Sequence, residues 1–215
     1  MNLPNKLTIF RIILVIIMMI IPVVDSLIGI SGEFLGIPVA FWIMNIIFII
    51  AAITDKLDGT LARKWNQITT FGKFLDPIAD KMLVLAALVI LVEYSKIPSW
   101  IPIIILIREF MVSGYRLIAV EKGGKVIPAS IWGKIKTVTQ MLAIICCFAD
   151  KFSFGNLIFR VSSAEAMMEN SAGIYMTNLQ FGINILSTLL LVICVVATVF
   201  SGWDYLKGGK DLLKD

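Results

Sequence analysis

Four aspartates between positions 55 and 80 are the residues of this sequence best suited to chemistry. Asp55 and Asp58 are three residues apart, and Asp76 and Asp80 are four apart. On a helix, either spacing places both side chains on one face, one turn apart. Two helices joined by the short segment 64–70 would therefore direct four carboxylates into one small volume. Because such charges repel and are costly to desolvate, the pattern predicts a site for divalent cations, and oxygen ligands favour Mg²⁺ or Mn²⁺.

The residues between the aspartates indicate what these ions would hold. Gly59 and Gly72 let a ligand approach the helix backbone, because glycine has no Cβ. Ala62 keeps one helix turn small, and the forked guanidinium of Arg63 suits phosphate oxygens. Together they predict a diphosphate substrate bound through metal. The alternative is that the paired aspartates are helix caps or solvated loop charges.

These positions also match a family signature. The sequence resembles the CDP-alcohol phosphotransferases, whose pattern is D-x2-D-G-x2-A-R-x8-G-x3-D-x3-D, at every fixed position. The matching residues are Asp55, Asp58, Gly59, Ala62, Arg63, Gly72, Asp76 and Asp80. The resemblance implies an integral membrane enzyme that moves a phosphatidyl group from CDP-diacylglycerol to an alcohol and releases CMP. It also implies the fold of that family and a homodimer formed through membrane helices.

The composition predicts an all-α integral membrane protein with a single domain, 1–215. Hydrophobic residues make up 59% of the chain and charged residues 16%, and the mean hydropathy is +0.92. Such values are typical of membrane proteins. We expect six transmembrane helices, near Leu7–Val24, Val39–Asp58, Thr70–Tyr94, Ser99–Ile118, Ile131–Ala149 and Asn178–Phe200. The segment 151–176 is expected to be a polar external excursion, and no function is assigned to it.

The distribution of basic residues predicts the orientation in the membrane. With six spans both termini lie on one side, and only Lys96, Lys151 and Arg160 of the 19 Lys and Arg residues fall on the other. The positive-inside rule makes the terminus side cytoplasmic. The chain is therefore expected in the inner (cytoplasmic) membrane, with a polar active-site cavity at its cytoplasmic side. Because the basic residues follow the loops in this way, the net charge of +4 does not indicate nucleic-acid binding.

Two residue types restrict the chemistry further. The sequence has no histidine, which excludes a histidine-ligated zinc site and a Ser-His-Asp triad. Its cysteines, Cys146, Cys147 and Cys194, all lie within apolar runs. We expect them to be small buried side chains without a disulfide framework.

The N-terminal run Asn5-Lys6-Leu7-Thr8 admits two interpretations. Asn5 could simply start a helix. The family resemblance instead implies that an N-x-L-T run ending in an arginine, here Arg11, contacts cytidine or its phosphates. Asn5 and Thr8 are then predicted to bind CDP-diacylglycerol.

A second anion site is predicted from basic residues further along the chain. Arg108 and Arg116 are eight residues apart, on nearly the same helix face, and Lys134 and Lys136 open the fifth span. Charges within a span are costly and are functional candidates by default. Arg108 could merely pair with Glu109, and the two lysines could reach lipid headgroups. Lys81 could compensate charge or contact a phosphate.

The groups R-E-F, S-G-x-R and G-K-x-K-T resemble the branch of the family whose acceptor is sn-glycerol 3-phosphate and whose product is phosphatidylglycerophosphate. The resemblance implies that Arg108, Arg116, Lys134, Lys136 and Lys81 bind the acceptor phosphate. It further implies that the four aspartates hold two ions, with Asp80 also acting as the general base. The alternatives are a sibling enzyme, a cardiolipin or phosphatidylinositol-phosphate synthase, or a cation-coupled transporter. No internal repeat supports the transporter, and its carboxylates would lie at the bilayer midplane.

Overall fold

A computed structural model of the chain describes residues 3–64, 70–121, 130–155 and 178–208. Within the helices, it does not describe the side chains of residues 3, 4, 56–64, 70–74, 76, 77, 120, 121, 178 and 208.

The described residues form six α-helices and one short hairpin. The helices are α1 (Leu3–Ile28), α2 (Val39–Lys64), α3 (Thr70–Glu93), α4 (Trp100–Glu121), α5 (Ile131–Phe148) and α6 (Asn178–Gly208). The strands β1 (Glu33–Phe34) and β2 (Ile37–Pro38) are antiparallel, with Glu33 opposite Pro38. Each predicted span coincides with one helix, so the all-α prediction is confirmed. The hairpin between α1 and α2 is too short to show in the apolar pattern.

The helices are those of a multi-pass membrane protein. Among the described residues, three apolar helical stretches are long enough to cross a membrane, Asn5–Ile28, Ile131–Phe148 and Leu179–Lys207. The apolar part of α2, Val39–Asp55, is shorter. α3 and α4 differ because charged residues interrupt their apolar sequence, Asp80 and Lys81 in one and Arg108 to Arg116 in the other.

One apolar core joins the helices. α1 packs against α2 and α3, and α5 packs against α6. Met18, Met44 and Leu83 are fully buried where the first three helices meet. Small side chains such as Ala51 and Ala87, also fully buried, allow close approach of neighbouring helices. All three cysteines are free. Cys147 and Cys194 are buried, as predicted, whereas Cys146 is half-buried.

A polar cluster around Asp150 joins the helices at the end where the predicted excursion starts. The Asp150 carboxylate accepts hydrogen bonds from Asn184 Nδ2 at 2.8 Å, from Ser187 Oγ at 2.7 Å and from the backbone N of Phe152 at 2.9 Å. Lys96 Nζ donates to the backbone oxygen of Asp150 at 2.5 Å. Burial raises the pKa of the Asp150 carboxyl, although these hydrogen bonds favour its charged form. The cluster ties α6 to the end of α5, while residues 156–176 of the excursion lie outside the described part of the chain.

Candidate active site

The charged residues of the helices gather at one end of the bundle. Side-chain contacts join the N-terminal halves of α1 and α5 and the middle of α3 to the C-terminal halves of α2 and α6 and to the middle and C-terminal half of α4. This is the arrangement of an antiparallel bundle, in which the N-terminal part of one helix lies beside the C-terminal part of the next. The candidate site residues that the structure describes therefore lie at this end.

A buried arginine on α1 pairs with the first aspartate of the family signature. Arg11 Nη1 lies 2.7 Å from Asp55 Oδ1, and the side chain of Arg11 is 0% exposed whereas that of Asp55 is 38% exposed. A buried guanidinium requires such a partner, since an unpaired buried charge is strongly destabilising. Thr8 and Asn5, about one and two turns before Arg11, are also buried and also interact with other groups. Asn5, Thr8 and Arg11 thus face the interior, and Arg11 contacts α2.

Asp80 lies near two groups of charges. It is half-buried and interacts electrostatically with Asp55 and Arg11, and also with Glu109 and Lys136. Asp55 and Asp80, from the two halves of the signature, are therefore within the range at which their charges interact. The structure also places Asp80 next to the cations of the predicted second anion site.

The other six signature residues belong to α2 and α3. The side chains of Asp58, Gly59, Ala62, Arg63, Gly72 and Asp76 lie outside the described residues. Among those that are described, no group of three or more Asp, Glu or Cys side chains could hold a metal ion. The donors that are described, Asp55 and Asp80, fit a hard divalent cation, because they offer oxygen ligands on neighbouring helices. A metal site formed by the four aspartates stays a prediction.

Glu109 is the centre of the second group of charges. Its Oε1 lies 3.0 Å from Arg108 Nη1 and also accepts a hydrogen bond from Lys136 Nζ. Lys81 Nζ donates to Ser113 Oγ at 2.5 Å, and that hydroxyl donates to the Glu109 backbone oxygen at 2.7 Å. Cations from α3, α4 and α5 therefore surround one carboxylate. The structure contains the Arg108–Glu109 pair, which was one of the alternatives left open by the sequence. An anion site formed by these cations stays a prediction.

Burial separates the two lysines of α5. Lys136 is 5% exposed and points into the bundle, which excludes the headgroup-facing alternative for this residue. Lys134 is exposed, as that alternative expects. The difference follows from helix geometry, because residues two positions apart point in widely different directions.

The last helix supplies two side chains that sequence reasoning missed. Arg108 Nη2 donates to Ser201 Oγ at 2.5 Å, and Arg116 Nη2 donates to the Tyr205 hydroxyl at 2.7 Å. Ser201 and Tyr205 are four residues apart and so share one face of α6. Polar groups at this spacing near the end of an apolar helix were the available signal, but nothing in the sequence named their partners.

Comparisons with known proteins agree with this geometry. The sequence profile described as CDP-alcohol phosphatidyltransferase matches residues 1–203. A Bacillus subtilis (strain 168) protein named CDP-diacylglycerol–glycerol-3-phosphate 3-phosphatidyltransferase is 39% identical over 99% of this chain and 97% of its own length. A Haemophilus influenzae protein of the same name is 38% identical over 100% of this chain and 96% of its own.

A third relative carries a different name. A Mycobacterium tuberculosis protein named probable phosphatidylglycerophosphate synthase is 32% identical over 95% of this chain and 79% of its own length. The profile and the relatives extend over nearly all of the sequence, including the aspartates and the cation group around Glu109. The chain therefore belongs to the CDP-alcohol phosphatidyltransferase family.

Proposed function

We propose that this protein is an enzyme that transfers the phosphatidyl group of CDP-diacylglycerol to sn-glycerol 3-phosphate, giving phosphatidylglycerophosphate and CMP. The names of the relatives from Bacillus subtilis and Haemophilus influenzae support this reaction. The observation that carries the proposal is the cation group beside Asp80, in which Lys81, Arg108 and Lys136 surround the single carboxylate of Glu109. The excess positive charge suits an acceptor that carries a phosphate, whereas an uncharged alcohol would not need it.

The donor half of the site would hold the nucleotide and its diphosphate. The family generally depends on divalent metal. We propose that two ions, Mg²⁺ or Mn²⁺, are held by Asp55, Asp58, Asp76 and Asp80. Bound there, they would neutralise the charge of the diphosphate and of the leaving CMP. The CDP-diacylglycerol contacts are assigned to Asn5, Thr8, Gly59, Ala62, Arg63 and Gly72.

The chain's own groups would act on the acceptor. In the proposed reaction the 1-hydroxyl of glycerol 3-phosphate attacks the β-phosphorus, and the bond from that phosphorus to the bridging oxygen breaks. Asp80, which interacts with both charge groups, would accept the hydroxyl proton. Arg11 would hold Asp55 in place through its ion pair. The acceptor phosphate is assigned to Arg108, Arg116, Lys134, Lys136 and Lys81.

The placement in the cell belongs to the same proposal. In the predicted arrangement of six spans, most of the basic residues fall on the side of the termini, so the positive-inside rule supports a cytoplasmic active site and cytoplasmic termini in the inner membrane. A nucleotide-linked lipid would then be met on the side where nucleotides are made. A single domain over 1–215 and a homodimer remain predictions.

A panel of acceptors tests the proposed function. Purified protein would be incubated with CDP-diacylglycerol, Mg²⁺ and one acceptor at a time, and CMP release would be measured. We expect release with glycerol 3-phosphate and background release with phosphatidylglycerol, inositol 1-phosphate, inositol and serine. Release with phosphatidylglycerol or inositol 1-phosphate instead would assign the chain to a sibling activity.

Gly133 provides a finer test of the acceptor site. A Cβ added at Gly133 would lie 3.3 Å from Arg108 Nη2 and 3.5 Å from Ser201 Oγ, so Gly133→Ala should displace the guanidinium. We expect the KM for glycerol 3-phosphate to rise about three- to tenfold, as for a charge-assisted hydrogen bond that is weakened but not lost. The KM for CDP-diacylglycerol should stay within about twofold, because the donor contacts are elsewhere.

The matched control is Gly114→Ala. Gly114 is also helical, and an added Cβ there would meet nothing within 4 Å in the described residues. If both substitutions change the acceptor KM equally, the close contact with Arg108 is not the cause.

A further inference from the structure

Two arginines of the acceptor site share one tyrosine ring. Arg108 Cζ lies 5.7 Å and Arg116 Cζ lies 5.6 Å from the centroid of the Tyr205 ring. The hydroxyl of the same residue accepts a hydrogen bond from Arg116 Nη2 at 2.7 Å. Tyr205 is 1% exposed, so the ring is enclosed by these neighbours. Both cation–π distances are within the range in which a guanidinium is attracted to an aromatic ring.

The Tyr205 ring restricts two arginine side chains that would otherwise repel each other and be poorly ordered. Arg108 and Arg116 carry like charges on long side chains from one face of α4, so in isolation they would repel and adopt many rotamers. Ordering such side chains when a ligand binds reduces affinity. A ring that attracts both guanidiniums orders them before the ligand arrives. Ser201, one turn earlier on α6, holds Arg108 by a second contact.

The backbone of α6 comes close enough to α4 to make this arrangement. A Cβ added at Gly202, between Ser201 and Tyr205, would lie 3.2 Å from Met111 Cε and 3.7 Å from Arg108 Cγ. An added Cβ would therefore require the end of the Met111 side chain to move by a few tenths of an ångström. Gly202 lets α6 approach Arg108 closely, and Tyr205 contacts both arginine side chains.

One nitrogen of the Arg108 guanidinium makes no hydrogen bond within the described part of the chain. This nitrogen is Nε, which is buried. A buried donor without a partner is uncommon, because it is unfavourable until an acceptor satisfies it. Phosphate oxygens would satisfy it, since guanidinium groups bind them in a forked geometry.

We propose that Tyr205 is a positioning residue that fixes Arg108 and Arg116 relative to each other and thereby sets the affinity for the phosphate of the acceptor. The inference rests on the proposed function and extends it to a residue of the last helix. Tyr205 acts through the two arginines, so its effect should fall on one substrate only. Loss of the hydroxyl and loss of the ring should have separate effects, because the hydroxyl holds Arg116 whereas the ring holds both.

The experiment compares two substitutions at Tyr205. Tyr205→Phe keeps the ring and removes the hydrogen bond, and we expect the KM for glycerol 3-phosphate to rise about fivefold. Tyr205→Leu also removes the ring, and the rise should reach about fiftyfold. The KM for CDP-diacylglycerol should stay within about twofold in both, and the thermal midpoint of the phenylalanine variant should match that of the unaltered protein.

Tyr94→Phe is the matched control. Its hydroxyl donates to Asp25 Oδ2 at 3.0 Å, between α1 and the end of α3, away from the charged end of the bundle. The same loss of a tyrosine hydrogen bond should leave both KM values unchanged there.

Each outcome has one meaning. If the unaltered protein releases no CMP with glycerol 3-phosphate, the proposed function fails and this inference fails with it. If the unaltered protein is active and Tyr205→Phe leaves the acceptor KM unchanged, only the inference is overturned. A parallel rise of both KM values would assign Tyr205 a general structural role and would also overturn it. If the leucine variant does not fold, the phenylalanine variant decides.

Discussion

Asp80→Asn is expected to lower turnover at least about a hundredfold while CDP-diacylglycerol still binds, because the amide cannot accept the proton of the attacking hydroxyl. The position of Asp80 is the reason for choosing it. It interacts electrostatically with Asp55 and Arg11 of the donor half and with Glu109 and Lys136 of the acceptor half. The measurements are CMP release at saturating glycerol 3-phosphate and, separately, binding of CDP-diacylglycerol to the purified protein.

Asp204→Asn is the control for the Asp80 substitution. Asp204 is exposed on α6, next to Tyr205 and at the same end of the bundle, so the same change of charge should leave turnover within about twofold. Near-normal turnover of the Asp80 variant would contradict its role as the base. Equal loss of turnover and of nucleotide-lipid binding would instead make Asp80 a metal ligand alone.

The helices could be predicted from the sequence because a helix that crosses a membrane requires a long run of apolar residues. The ends of α2 and α3 illustrate this point. The turn between them was expected over 64–70, and α2 ends at Lys64 while α3 begins at Thr70. Asp55 and Asp80 were also expected to lie near each other, because they are at similar distances on either side of that turn, nine residues before Lys64 and ten residues after Thr70.

Contacts between distant helices could not be predicted in the same way. Periodicity shows which face of a helix is polar, but the partner of that face depends on how helices far apart in sequence are aligned. Arg11 and Asp55 meet across α1 and α2, and Tyr205 reaches Arg108 and Arg116 from the last helix. None of these pairs is marked by a local motif.

The sequence also left two interpretations open for the basic residues of α5: they could line a buried site or reach lipid headgroups. Lys134 and Lys136 have the same residue type and nearly the same position, yet one is exposed and the other is 5% exposed. Only the contact of α5 with α6 and with Glu109 of α4 distinguishes them. Glu109 is equally hard to interpret from the sequence, because an acidic residue is not expected in a site for anions. Its role is clear only once its ion pairs with Arg108 and Lys136 are known.

Removal of divalent metal is expected to abolish transfer. If the four aspartates hold the ions that neutralise the diphosphate, EDTA should reduce CMP release to background, and Mg²⁺ or Mn²⁺ in excess should restore it. Arg11 forms an ion pair with Asp55. One arginine cannot neutralise all four carboxylates, so the metal would still be needed. Transfer that resists chelation would overturn the metal proposal.

A second readout separates metal binding from activity. A ligand that binds only the folded protein raises its thermal midpoint, so Mg²⁺ added to the chelator-treated protein should stabilise it without any substrate present. Asp58→Asn should remove most of this stabilisation, since it deletes a predicted ligand, whereas Asp204→Asn should preserve it. If Mg²⁺ stabilises both variants equally, the ion binds elsewhere, and the aspartates would need another explanation for their spacing.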